Sequence, residues 1–471
     1  MSGLWPTTTG VYSNNANYPK RLPNNESMPE YLRRNGIYTM GAGKLFHGDT
    51  HYPKGSFDEY APGSSKPFPK QALLNLHQKP VFEYRYQDKV ITFPLNGMTA
   101  DRTWQDKHSF DWGPLDLPDS EFEDPHSVNW AVERLGKTYK KPFFLGVGFH
   151  LPHQPLFAPK RFHDLYPLES VKLPPVIPDD LKDLSRAGQD YALIPTTSGK
   201  HSSVVKYGQW KNAVSSYLAT VTFIDELIGQ LMQGLDSSPH AQNTWIVLWS
   251  DHGWHLGEKE HWGKATGWYR ATRVPLMIVS PKSCSPKGFQ PGLECTKPVN
   301  LIDLFPTVAG MAGIPQKAGL EGQNLLPLVA DPRAEWPDHT LTTFARGCHA
   351  ISTERWRYIL YSDGSAELYD RKADPHEFHN LIGNPKHSKV VTQLASHIPE
   401  EPQWKYFIRY GSFKAVVPSN GDPMLLFNHA VENHLEERYD ESAQYPKVVK
   451  RIEDWLAETD PKEKRLVMPA G

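Results

Sequence analysis

The chain has 471 residues, 39% of them hydrophobic, and a formal net charge of −2 at pH 7. That length exceeds what one hydrophobic core usually supports, so a large domain with a smaller companion is expected. The near-neutral charge speaks against a nucleic-acid partner or a polybasic membrane anchor, and no apolar run reaches the length of a membrane span, which leaves small molecules as the favoured partners. Proline, at 42 residues, is well above its usual share of about 5% and implies many long, rigid connections.

In chain order, Ser27-Met28-Pro29-Glu30 has the form of a capping box and opens a helix that runs to Arg34 and stops at Gly36. Ile37 to Ala42 reads as a short strand, with Gly43-Lys44-Leu45-Phe46-His47-Gly48 at its carboxyl end. Residues 49 to about 123 read as long loops and short strands. Asp124 and Pro125 open a helix to about Lys140, Asp as N-cap and Pro at the first position. Phe143 to Phe149 is a buried strand, from which His150-Leu151-Pro152-His153-Gln154-Pro155 emerges. Two histidines flanking a proline do not by themselves converge on one ion. The stretch from Phe157 to Tyr207 is again loop-like. Apolar residues at Tyr217, Val221, Ile224, Ile228, Leu231 and Leu235 then recur every three or four positions and mark an amphipathic helix.

That helix leads into the stretch with the most chemistry. Trp245 to Trp249 has the β-branched and aromatic content of a strand buried on both faces. Ser250-Asp251-His252-Gly253 delivers polar groups to its carboxyl end, where open α/β sheets keep their active sites. Asp251 offers hard oxygen to a divalent cation, His252 a nitrogen, and Gly253 lets backbone pass close to a ligand. The same residues fit a strand and tight turn in which Asp and His cap the next element. Glu260-His261-Trp262-Gly263-Lys264 adds ionisable groups, Thr272 to Ser280 reads as the next buried strand, and Val299 to Gly313 as a further helix. The alternation of strands and helices predicts an α/β fold with a doubly wound, mostly parallel sheet. Beyond about Ala330 the pattern changes. Gly347 to Tyr361 alternates like a strand, Ser362 to Ser365 turns, Ala366 to Tyr369 returns as its partner, and a last helix runs from Pro446 to about Glu458. Residues 1–334 are expected to form the main domain and 335–471 a smaller C-terminal α+β subdomain with an antiparallel sheet; residues 400 to 440 match no pattern. Cys284 and Cys295 either close a small loop or stand unpaired with Cys348 as buried thiols.

Several of these segments resemble, in the correct order, those of the sulfatases within the alkaline-phosphatase superfamily, in particular the iduronate-2-sulfatase-like branch. The matching segments are Ser250-Asp-His-Gly-Trp-His-Leu-Gly-Glu258 with Lys264 and Ala271-Thr-Arg-Val-Pro-Leu276, Gly43-Lys44-Leu-Phe-His47, His150-Leu-Pro-His153-Gln-Pro155, and Lys372-Ala-Asp-Pro-His-Glu-Phe-His-Asn-Leu381. The resemblance implies hydrolysis of a sulfate ester, of a small molecule or a glycan such as a sulfated sugar. It carries Asp251 and His252 onto ligands of Ca2+, Lys44 and Lys264 onto sulfate oxygens, and His47 and His153 onto contacts with nucleophile, ester or leaving group. Ser2 to Gly10 resembles the flank that follows the family's Cys-x-Pro-x-Arg signature, whose Cys or Ser becomes the formylglycine nucleophile. On that reading the signature and the paired aspartates of the first strand lie upstream of Met1, and these 471 residues alone are expected to be inactive. A leader upstream would direct the parent protein to a periplasmic, secreted or lysosomal location. The competing readings are a pseudoenzyme that binds sulfated ligands and a related phosphodiesterase or phosphonate hydrolase.

Overall fold

The computed structural model describes residues 1–13, 24–47, 55–61, 81–98, 109–193, 198–401, 404–430 and 440–469. Much of the 49–123 stretch, expected to be loops and short strands, lies outside these. At the centre of the main body the Tyr38–Gly43 strand pairs in parallel with Glu59–Tyr60 on one side and Phe143–Gly148 on the other. Its approach is set by the preceding helix, Met28–Arg34, where Glu30 accepts the Ser27 backbone N–H at 2.7 Å and Gly36, at φ +86°, turns the chain into the strand. At the strand's far end Gly43 has φ +67°, and a Cβ there would collide with the Gly148 carbonyl. The Lys44 N–H donates to that same carbonyl at 2.8 Å. Glycine at 43 is therefore what lets the chain leave the sheet with Lys44 held against the end of its neighbour.

The Ile246–Trp249 strand forms where expected but pairs otherwise than a parallel sheet requires. Its described partner is Leu276–Val279, antiparallel, with Trp249 opposite Leu276 and Ile246 opposite Val279. All four of its residues are half-buried, and Met277 and Val279 across from it are about half exposed. Burial on both faces is thus not observed. Among the described residues the parallel pairings lie in the three-stranded sheet, between Trp112–Leu115 and Leu156–Pro159, and between Trp404–Tyr410 and Arg465–Val467.

Two helices cover the core beside the parallel sheet, Glu123–Leu135 and the 27-residue Trp210–Asp236, about 40 Å long at the usual rise. They bury Val128, Ala219, Phe223 and Leu227 together with Phe93, Phe157 and Phe162. The long helix buries the expected residues Ile224 and Leu235 and packs Tyr217, Ile228 and Leu231 against the core, but its buried face is wider than expected. Ala213, Ser216, Thr220, Phe223 and Leu227 face the core, while Val221 is 41% exposed. Small residues on the buried side let the helix sit close, a preference that an apolar count does not register. The helix expected to begin at Pro125 starts two residues earlier, at Glu123, and ends at Leu135, before Gly136. The 157–207 stretch is more ordered than expected and carries helices Lys160–His163, Arg186–Leu193 and His201–Lys206.

The C-terminal part contains two four-stranded sheets. Thr340–Ala345, Cys348–Ser352, Trp356–Leu360 and Ala366–Asp370 form an antiparallel meander, so that 347–361 is two strands and not one; Thr353 and Arg355 make the turn between them. Residues 400 to 440, unreadable in sequence, contribute Trp404–Tyr410, Phe413–Pro418 and Leu425–Asn428 to the second sheet, and the last helix is Pro446–Thr459. None of the three cysteines forms a disulfide: Cys284 and Cys295 are exposed, and Cys348 is buried with its Sγ accepting the Tyr191 hydroxyl at 3.6 Å.

The first meander is joined to the main body by buried polar groups. Glu367, fully buried, accepts from Trp268 Nε1 at 2.8 Å, Tyr361 OH at 2.7 Å and Tyr369 OH at 2.8 Å. Glu377 pairs with Arg357 at 2.8 Å and takes the Tyr269 N–H, while Arg357 reaches the Gly267 carbonyl. Replacing Glu367 by Leu would leave three buried donors without their acceptor, a loss expected to lower the unfolding free energy by about 3 kcal/mol or more. Urea unfolding of Glu367→Leu checks this, and a midpoint equal to that of the parent would show that the network does not hold the two parts together.

Candidate active site

The polar groups that leave the two sheets meet at their carboxyl ends. Lys44 Nζ lies 3.8 Å from Asp251 Oδ2, and its side chain is 15% exposed. Lys264 Nζ lies 2.8 Å from His252 Nε2. His252 Nδ1 faces the Gly253 carbonyl at 2.9 Å, which makes Nδ1 the protonated nitrogen and Nε2 the acceptor of the Lys264 ammonium. Burial pushes the His252 pKa down to about 4, and the neighbouring Lys264 adds to this against the pull of Asp251. His252 is therefore neutral near pH 7. Desolvation by the walls of the site favours the neutral form of Asp251, but His252, Lys44 and Lys264 outweigh it and hold the carboxyl below its ordinary range. Asp251 is thus an anion between two cations.

Gly253 carries the turn. A Cβ there would collide with the Arg270 carbonyl, and the Gly253 N–H donates to the Ala271 carbonyl at 2.8 Å. Trp254 follows, with its ring 6.1 Å from His252 and 5.9 Å from His153, centroid to centroid. His153 joins the cluster from the end of the Phe143–Gly148 strand. Burial drives its pKa well down, and His150, Lys264 and Lys44 contribute in that order. Its Nδ1 lies 2.6 Å from the Gln154 carbonyl, which makes Nε2 the lone-pair nitrogen. Five of the six residues named from sequence, Lys44, His153, Asp251, His252 and Lys264, are thus within one electrostatic cluster. His47, exposed at the end of the Lys44 turn, has its place among them from the sequence resemblance alone.

Three further residues shape the site. Asp124, expected to cap its own helix, instead turns away from it, and its two carboxylate oxygens accept the His150 N–H at 2.8 Å and the Leu151 N–H at 3.1 Å. It thereby fixes the backbone that presents His153. His261, 1% exposed, holds the loop that ends in Lys264, with Nε2 2.9 Å from the Lys264 carbonyl and Nδ1 3.0 Å from that of Ala192. Lys259, buried at φ +55°, pairs with Asp180 at 2.7 Å and anchors the same loop on its other side. Helix signals in the sequence point Asp124 at the wrong partner, and nothing local marks His261 or Lys259.

Asp251 supplies one carboxylate and His252 one nitrogen, against the six to eight oxygens that calcium prefers. The carboxylate, 64% exposed, is open to a metal. The His252 lone pair already receives Lys264. The donor set thus fits one corner of a metal site and does not complete one.

Two ammonium groups, two neutral imidazoles and an open carboxylate at the sheet ends of an α/β body suit an anionic ligand. Solved structures agree on the fold: a protein in complex with its substrate D-glucosamine-2-N,6-O-disulfate superposes with a TM-score of 0.61 at 17% identity, covering 84% of this chain and 85% of that one. The phosphonate monoester hydrolase of Agrobacterium radiobacter does so with 0.62 at 18%, covering 84% and 83%. The sulfatase family's sequence profile matches residues 1–314, and that of the C-terminal part of N-sulphoglucosamine sulphohydrolase matches 257–403. A sulfatase of Formosa agariphila is 35% identical over 413 residues, covering 85% of this chain and 75% of its own, and human iduronate 2-sulfatase is 30% identical over 443, covering 86% and 70%. The chain belongs to the sulfatase family, whose members are sulfuric ester hydrolases and generally metal-dependent.

Burial raises the Asp124 pKa from 3.8 to about 6, against the two backbone N–H groups that lower it. The folded protein therefore holds this proton more tightly than the unfolded chain. The stability so conferred is full below about pH 4 and lost as the pH rises through 6, on the order of 3 kcal/mol in all. Asp124→Asn removes that titration, so the stability difference between variant and parent should move toward the variant by that amount between pH 4 and 7. A difference independent of pH in urea unfolding would show that Asp124 does not titrate there.

Proposed function

We propose that the cluster of Lys44, His47, His153, Asp251, His252 and Lys264 binds and positions the sulfate group of a sulfated sugar for hydrolysis. The observation that carries this reading is the meeting of the Lys44 and Lys264 ammonium groups, from opposite parts of the chain, beside two imidazoles that burial keeps neutral. An anionic ester entering between the lysines relieves their mutual repulsion. As sulfur is attacked, negative charge gathers on the sulfuryl oxygens and the departing alcohol, where preorganised cations act most strongly. His153, neutral in the free protein, gains basicity once the ester's charge lies beside it, and its Nε2 can then carry a proton to the leaving oxygen. His47 is included on the sequence resemblance, which carries it onto a contact with the nucleophile, ester or leaving group.

Attack on sulfur also needs a nucleophile. None of the three cysteines stands in a Cys-x-Pro-x-Arg segment, so these residues account for recognition and proton handling. A bound divalent cation would supply further positive charge and hold the nucleophile. We assign Ca2+ to Asp251, with His252 as a second ligand once Lys264 turns to the ester, because an open carboxylate suits a hard ion. A sugar ester is favoured over a phosphonate because the relatives at 30% identity and above are sulfatases, including iduronate 2-sulfatase, while the phosphonate hydrolase shares the fold at 18% identity.

Lys264→Ala should weaken binding of 4-nitrocatechol sulfate by this chain roughly 10- to 100-fold, the scale of one lost charge-assisted hydrogen bond. Where turnover is followed, it should fall roughly 10²- to 10³-fold. A calorimetric Kd and a rate both equal to those of the parent would remove Lys264 from the site. Calcium should raise the thermal midpoint of the parent and leave Asp251→Asn unchanged. An equal rise in both proteins would place the ion elsewhere.

A further inference from the structure

A second group of metal-ligating side chains lies in the C-terminal part, apart from the sulfate cluster. Asp338, His339 and His397 each offer one donor atom, and the three atoms lie within 4.8 Å of one another. Asp338 and His339 immediately precede the Thr340–Ala345 strand, and His397 follows the Ser388–Ala395 helix. The backbone around them is held on both sides. Trp336 Nε1 donates to the Pro298 carbonyl at 3.0 Å and the Leu341 N–H to Asn300 Oδ1 at 3.1 Å, while the His397 N–H donates to the Leu394 carbonyl.

The side chains are arranged as lone-pair donors. Asp338 Oδ1 lies 3.0 Å from His339 Nδ1, so these two donor atoms already stand within the spacing that a shared ion would set. The two imidazole rings stack at 3.7 Å and 19°. Packing alone gives little reason for this arrangement, since two stacked imidazoles beside a carboxylate that is 70% exposed bury little apolar surface.

We propose that Asp338, His339 and His397 form a binding site for zinc or a similar transition-metal ion, with its remaining position open to water. Two imidazole nitrogens and one carboxylate oxygen are the donors such ions prefer, whereas calcium takes oxygen almost alone. Bonds of about 2.0–2.1 Å in a tetrahedral arrangement set neighbouring donors about 3.4 Å apart, so the group must draw together by about 1 Å. The rings must also part from their stack to aim both lone pairs at one point. Partial exposure gives them room to do so and gives the ion a path in. Once bound, the ion would clip the first strand of the meander to the end of the helix packed against it. This site is independent of the sulfate-ester reading and stands or falls without it.

The test is zinc titration of the chelator-treated chain against a chromophoric competitor, with the thermal midpoint followed in parallel. One zinc equivalent should bind, should raise the midpoint, and should resist millimolar calcium. His339→Ala and His397→Ala should each weaken that equivalent roughly 100-fold, and Asp338→Asn roughly 10-fold. Asp251→Asn, which alters the other cluster, should leave it in place. Far-UV circular dichroism and the zinc-free midpoint, expected to match the parent because these side chains lie at the surface, guard against misfolding. Parental stoichiometry and affinity in the His339→Ala, His397→Ala double variant would overturn the proposal, as would a folded parent that binds no zinc at about 100 μM.

Discussion

Two lysine ammonium groups from distant parts of the chain are held around one carboxylate, and the rest of the site depends on keeping them there. Like charges in a partly desolvated cleft repel more strongly than in water. Asp251 offsets part of that repulsion at 3.8 Å from Lys44, and the neutral His252 gives Lys264 an acceptor without adding charge. The balance is incomplete by one negative charge. The leftover positive charge adds to burial, the main cause, in lowering the pKa of both imidazoles.

Positioning of this kind cannot come from the site residues alone, because each is borne on a turn. The turns are fixed by buried partners that never touch the ligand. Asp124 holds the backbone ahead of His153 from a neighbouring helix. His261 and Lys259 tie the Lys264 loop to the Arg186–Leu193 helix and to Asp180, and Gly43 and Gly253 allow backbone approaches that any side chain would block. Where an ionisable group is buried for this purpose it is paired, as the cost of an isolated buried charge requires.

The same logic joins the C-terminal meander to the body. Its last two strands and the loop that follows them bring Arg357, Glu367 and Glu377 onto Gly267, Trp268 and Tyr269, only a few residues beyond Lys264. One buried cluster contains residues from both sides of the expected boundary near 334, including Leu184, Tyr191 and Trp268 with Ala350, Ile359 and Tyr369. The meander therefore buttresses the loop that carries Lys264.

Sequence alone determined the features whose cause is local: the capping box at Ser27, the strands ending at Lys44, His150 and Asp251, and the long helix before Thr244. It also determined the family and five of the residues that the structure brings together, because a run of motifs in order carries more information than any one of them. Tertiary structure decided what depends on partners far along the chain. The antiparallel pairing of Ile246–Trp249 with Leu276–Val279 was not legible, since an apolar run reads alike in either sheet type. Asp124 was misread because an Asp before Pro has the same local signature whether it caps its helix or reaches across to a strand end. The width of the buried face of the Trp210–Asp236 helix turned on Ala213, Ser216 and Thr220, whose small size matters only against a close neighbour. The strands of 404–428 alternate too weakly to read, because their polar positions are buried as well, Lys414 against the Arg346 carbonyl and Arg409 against Asp190. A charge that is buried with its partner looks, in sequence, the same as one in water.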